Sequence, residues 1–140
     1  MISVFLDTNI LLDVFADRKP YVSFSKQVWE LTESLQVRGF VSAISYNNIF
    51  YILRKSGGAE VAREAVINLR GLFTTVAADE KIINQAIDSK IKDFEDGIQY
   101  FSAQGAGADF LLTRNPGDFP HHAGIKIATP ELFLTTMSNV

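Results

Sequence analysis

Ile2-Ser-Val-Phe-Leu-Asp7-Thr-Asn9-Ile-Leu-Leu-Asp13 is the stretch on which the fold turns. A short apolar run ends at Leu6, the capping types Asp7, Thr8 and Asn9 follow, and Ile10, Leu11, Leu12 and Phe15 resume at helical spacing. That order reads as strand, loop and helix. Working outward, Val22, Phe24, Val28, Trp29, Leu31 and Leu35 recur with helical spacing after Pro20, and Gly39 is expected to stop that helix. A second strand is expected over 39–42, then a helix over 42–54 closed by Gly57 and Gly58, and another over 60–69. The β-branched and aromatic residues of 73–76 suit a third strand. Asp79 is placed to cap a helix containing Ile82, Ile83, Ala86 and Ile87, and a further helix is expected from Asp93 or Phe94 to Gln104, ended by Gly105 and Gly107. The remainder reads as a buried strand over 108–113, a short strand over 125–128 and a terminal helix over 130–137.

Alternating strands and helices imply an α/β fold of three layers, helices on both faces of a central, mainly parallel sheet of four to five short strands joined by right-handed crossovers. Ligands of such sheets gather outside the carboxyl ends of the strands. The chain has 140 residues, 47% apolar and 21% charged, the size and balance of one globular unit, so 1–140 is read as a single domain. It has no cysteine, which excludes disulfides, zinc–thiolate sites and cysteine nucleophiles. No apolar run approaches the ~20 residues that span a bilayer, and the N-terminus lacks a basic signal-peptide region, so no membrane association and a cytoplasmic location are expected. A net charge of −3 gives no general attraction to nucleic acid; such a substrate would need local basic patches or a bound cation.

Three polar segments carry the candidate chemistry. Asp7-Thr8-Asn9 follows the first strand, Asp93-Phe-Glu95-Asp96 heads a helix, and Thr113-Arg114-Asn115-Pro-Gly-Asp118 follows the fourth strand. Each has a plain structural reading: Asp and Asn cap helices, acids at a helix head meet the helix dipole, and Arg114 suits a surface ion pair. Within the helix, Asp96, Gln99 and Tyr100 can share one face while Glu95 is turned about 100° away. Aspartates converging from separate strand ends repel one another unless a cation neutralises them. Oxygen ligands without cysteine suit Mg2+ or Mn2+, which would draw a phosphodiester to an acidic protein. Phe24, Trp29 and Leu35 read as core or dimer contacts, the pair Phe50-Tyr51 as packing, and His121-His122 as an exposed turn.

At these residues the sequence resembles the PIN domain family, whose members are largely metal-dependent ribonucleases, including the toxins of VapBC-type toxin–antitoxin pairs. The resemblance spans the chain and rests on Val4-Phe-Leu-Asp7-Thr-Asn9-Ile-Leu-Leu-Asp13, Asp93-Phe-Glu-Asp96-Gly-Ile-Gln-Tyr100 and Leu112-Thr-Arg-Asn115-Pro-Gly-Asp118-Phe119. It implies a PIN-like fold in which Asp7 and Asp96 are the metal-binding acids, with Asp118 assisting through a water molecule. Asn48 and Asn115 stand where the family usually carries two further acids, and an amide neither brings charge nor accepts a proton. The resemblance thus implies a Mg2+- or Mn2+-dependent endoribonuclease with Asp7, Asp96, Asn48 and Asn115 in the catalytic set, and Thr8, Asn9 and Arg114 toward the substrate. RNA, an antitoxin protein and a second copy of the chain are the implied partners. The alternative is a PIN-fold module that binds RNA or protein with weak or no cleavage. An aspartyl-phosphate phosphatase would need an acid two residues after Asp7, where Asn9 stands.

Overall fold

A computed structural model describes residues 1–121 and 124–138. Five strands, β1 (Ser3–Leu6), β2 (Arg38–Ser42), β3 (Thr74–Val76), β4 (Phe110–Leu112) and β5 (Lys126–Ala128), form one sheet in the order β3-β2-β1-β4-β5. Every pairing is parallel, with Val4 opposite both Gly39 and Phe110. Seven helices occur among the described residues: α1 (Thr8–Phe15), α2 (Val22–Glu33), α3 (Ala43–Gly57), α4 (Ala59–Leu72), α5 (Glu80–Asp88), α6 (Phe94–Gly105) and α7 (Pro130–Ser138). The three-layer α/β architecture expected from the alternation is the one observed.

Strand side chains alternate between the two faces, and the core divides accordingly. Val4, Leu6, Val41 and Leu112 pack with α1, α2, α3, α4 and Phe133 of α7 on one face. Phe5, Phe40 and Leu111 pack with Tyr100 and Ala103 of α6 on the other, and α5 closes over α6 through Ile82, Ala86 and Ile98. Central β1 is buried on both sides, so Asp7 leaves the sheet at its middle.

Two local expectations are corrected. α2 ends at Glu33 rather than running to Gly39, because Leu35 adopts a left-handed conformation (φ 61°) and the amides of Gln36 and Val37 fold back onto the Leu31 carbonyl. A glycine usually takes that position; here a leucine does, 74% exposed, so Leu35 joins no helical face. Gly39 lies inside β2, where its need is steric: a Cβ would stand 2.5 Å from Cδ1 of Phe73 and 2.9 Å from Cγ2 of Thr32. Phe73 cannot easily retreat, since it is buried against Trp29, which also packs edge-on against Phe15. Trp29 and Phe50 are packing residues as expected, whereas Tyr51 is 58% exposed. His121 is exposed, and His122 lies outside the described residues.

Gly39→Ala should therefore overpack the β2–α2 contact and lower stability by about 1–3 kcal/mol. Urea denaturation checks this, and Gly39→Ala combined with Phe73→Leu should lose less than Gly39→Ala alone.

Candidate metal centre

The centre is assembled around Asp7. Its amide continues the β1–β4 ladder to the Leu112 carbonyl (3.1 Å), and its carbonyl receives the first bond of α1 from Ile10 (3.0 Å). The side chain is only 5% exposed. Its Oδ1 accepts from the Asn9 amide (3.4 Å), and its Oδ2 accepts from the Thr113 hydroxyl (2.9 Å). Burial pushes the Asp7 carboxyl above its ordinary value, the Thr113 and Asn9 bonds pull it back, and Glu95 pushes it up again.

Asp96 approaches from the first turn of α6, where Asp93 caps the helix by accepting from the Asp96 amide (2.9 Å). Burial, then the charges of Asp7, Asp93, Asp118 and Glu95 in that order, push the Asp96 carboxyl up to about 7. The two aspartates expected to share a site do bear on one another, and Asp118, exposed at the end of a 3-10 turn (Pro116–Asp118), adds to the same negative field. Glu95 belongs to it as well: its charge acts on Asp7 and Asp96 together, although helix periodicity turned it away from Asp96.

The substrate-facing expectations need correction for two residues. Thr8 is 3% exposed, and its hydroxyl is shared with Ser45 of α3 (2.8 Å) and Nε2 of Gln99 in α6 (2.8 Å), so it braces the helices and does not face a substrate. Gln99 also reaches Ser45 (3.3 Å), which ties α1, α3 and α6 together beneath the acids. Arg114 donates through Nε and Nη2 to fully buried Asp13 and lies over the Tyr21 ring, 3.9 Å from its centroid. Its guanidinium is committed to a structural ion pair rather than to a phosphate. Asn9 is exposed near Arg18, Asn48 lies half-buried one turn beyond Ser45, and exposed Asn115 donates its amide to the Thr113 hydroxyl (3.3 Å). Asp13 stood in the sequence motif with no role assigned; its apolar surroundings in α1 were the signal that it needed a cationic partner.

Among the described residues no three acidic or histidine side chains converge tightly enough to hold an ion by themselves. The donor set fits a cation that takes one or two carboxylates and completes its shell with water, as Mg2+ commonly does. The raised carboxyls of Asp7 and Asp96 point the same way, because a cation is what would relieve them.

A PIN domain family model matches residues 3–116. The chain belongs to the PIN domain family. It is 23% identical over 134 residues to ribonuclease VapC1 of Aquifex aeolicus (strain VF5), spanning 93% of this chain and 92% of that protein. Among solved structures it is similar to a toxin–antitoxin complex from Klebsiella pneumoniae (TM-score 0.67, 25% identity, 91% of this chain and 97% of the other). It also resembles Mycobacterium tuberculosis VapC20, a sarcin–ricin loop cleaving toxin (TM-score 0.63, 16% identity, 77% and 86%). Within this PIN fold, Asp7 and Asp96 occupy the carboxyl edge of the sheet.

Two outcomes follow for the metal-free protein. With its folded-state carboxyl near 7 against an unfolded value of 3.8, Asp96 destabilises the fold at high pH. The penalty is full above about 7, shrinks as pH falls and vanishes below the unfolded value. Asp96→Asn should thus melt above wild type in EDTA at pH 8, the gap narrowing on acidification, and Mn2+ should raise the melting temperature of wild type more than that of the variant. Arg114→Ala, which strands a buried carboxylate, should cost about 3–5 kcal/mol in urea denaturation. Asp13→Leu with Arg114→Met should recover most of it.

Proposed function

We infer that the protein is a metal-dependent endoribonuclease that cleaves RNA phosphodiester bonds in the cytoplasm, as the toxin of a toxin–antitoxin pair. One observation carries the reading. Asp96, pushed up by burial and then by the charge of Asp7, lines a cavity of about 570 Å3 together with Asp93, Asp118, Lys90 and Lys92, and a cation there would relieve it. A cation at the acids and two ammonium groups at the rim form the local positive patch that an acidic protein needs to bind a polyanion.

Asp7 and Asp96 are the residues that would hold Mg2+ or Mn2+, with Asp118 placed to assist through a water molecule. The ion when bound supplies Lewis acidity toward the phosphodiester and an activated water. Lys90 and Lys92 attract the flanking phosphates. Asn48 and Asn115 orient water with their amides, and neither can take a proton. Proton acceptance is left to the carboxylates of Asp118 and Glu95. Thr113 and the amide of Asn9 fix the Asp7 carboxylate, so a ligand oxygen needs little reordering when a cation arrives. The likeness to a ribonuclease and to a toxin–antitoxin complex supports RNA as substrate and an antitoxin as partner.

Incubated with labelled single-stranded RNA, the protein should cut in Mn2+ or Mg2+ and stop in EDTA, and Asp7→Asn should lower the rate by more than about 100-fold. Cleavage that persists without metal would sink the assignment. The amides at Asn48 and Asn115 favour a second reading, a binding module without cleavage. Calorimetry that detects RNA or antitoxin binding but no Mn2+ binding would establish that reading instead.

A further inference from the structure

A second cavity, of about 340 Å3, opens beside the metal centre between the α1–α2 connection and the start of α7. Its lining includes Ile10, one turn into α1 from Asp7, and Arg114, which follows the Thr113 whose hydroxyl holds Asp7. The cavity therefore neighbours Asp7, whose charge acts on the Arg114 guanidinium.

Its walls are flat or apolar: Pro20, Tyr21, Phe24 and Pro130. Tyr21 is 44% exposed and carries the Arg114 guanidinium on its ring. Charge excludes anions. Nε and Nη2 of Arg114 are both bonded to Asp13, and Glu131 adds a second carboxylate to the lining, so the cavity bears one net negative charge. A phosphate or carboxylate would be repelled. A planar group that stacks on the walls and turns N–H donors toward Glu131 suits this lining. Unpaired RNA bases bind proteins in this manner, stacked on aromatic and guanidinium planes and bonded along their Watson–Crick edges. Of the four bases guanine carries two adjacent donors on that edge, N1–H and N2–H, which the two oxygens of one carboxylate accept in parallel.

We propose that this cavity is a nucleobase site with a preference for guanine, holding the base next to the cleaved phosphodiester. Its placement beside that bond rests on the nuclease reading; the base binding does not.

Anisotropy of fluorescein-labelled hexaribonucleotides, measured in EDTA so that no bond is cut, tests it. A hexamer with one central guanosine should bind wild type about 10-fold more tightly than an all-adenosine hexamer, and Glu131→Gln should bring that ratio close to one. Tyr21→Ala should weaken the guanosine hexamer about 10-fold and Tyr21→Phe should leave it unchanged. If Tyr21→Ala fails to fold, Glu131→Gln and Tyr21→Phe still decide. Equal affinities in wild type, a ratio that survives Glu131→Gln, or no RNA binding overturns the proposal. So does unchanged RNA affinity in Tyr21→Ala alongside weakened binding of an antitoxin, which would make the cavity a protein contact. Guanosine-selective binding without metal-dependent cleavage would remove the nuclease reading and leave the base site. Cleavage indifferent to Tyr21→Ala and Glu131→Gln would do the reverse.

Discussion

A carboxylate buried at the end of the central strand sets the terms for the rest of the molecule. Asp7 leaves β1 between β2 and β4, where water is excluded, and a charge in such a place needs fixed donors around it. The Thr113 hydroxyl, just beyond β4, and the Asn9 amide in the first turn of α1 are those donors. Each depends on register. A one-residue slip of β4 would turn Thr113 to the other face, and a later start to α1 would remove the Asn9 amide. The sheet, the α1 N-terminus and the acid are therefore specified together, and the acid is pre-positioned by the backbone rather than by its own flexibility.

The helices that deliver the remaining site residues are held by a second polar device directly beneath. Gln99, Thr8 and Ser45 are buried at the meeting of α6, α1 and α3, and their hydrogen bonds fix how those helices are set relative to one another. Asp96 lies one turn before Gln99, Asp7 one residue before Thr8, and Asn48 one turn after Ser45. A hydrogen bond between hydroxyls tolerates a few tenths of an ångström, so this buried triad transmits its own precision to three residues of the proposed site.

Much of this was legible in the sequence because it is local. Strand and helix spacing is written in neighbouring residues, and Asp7 and Asp96 stand out by where they fall on that pattern, at a strand end and in a helix first turn. What was not legible depends on partners far apart in the chain. Arg114 meets Asp13 across 101 positions, and Thr8 meets Gln99 across 91, so an exposed-looking cation proved to be half-buried in an ion pair and a loop-like hydroxyl proved internal. Glu95 was misjudged for another reason. Periodicity tells which way a side chain points, but charge acts through several ångströms of poorly solvated space regardless of direction. Leu35 shows the limit of composition, since the left-handed turn that ends α2 falls on a leucine rather than on the glycine four residues later.

The two amides take on a different meaning against this electrostatic background. With Asp7, Asp93, Glu95 and Asp118 all acting on it, Asp96 already holds its proton up to about pH 7 without a cation. Carboxylates at Asn48 and Asn115 would add like charge to the same edge and raise the repulsion that any bound ion has to offset. The chain carries Glu95 and Asp118 in the field instead, so the negative charge is displaced toward α6 and the 3-10 turn, the side on which Lys90 and Lys92 line the larger cavity. On that view the amides do not mark a decayed site. They fit an acidic centre whose charge lies at the head of α6 rather than on α3 and the end of β4.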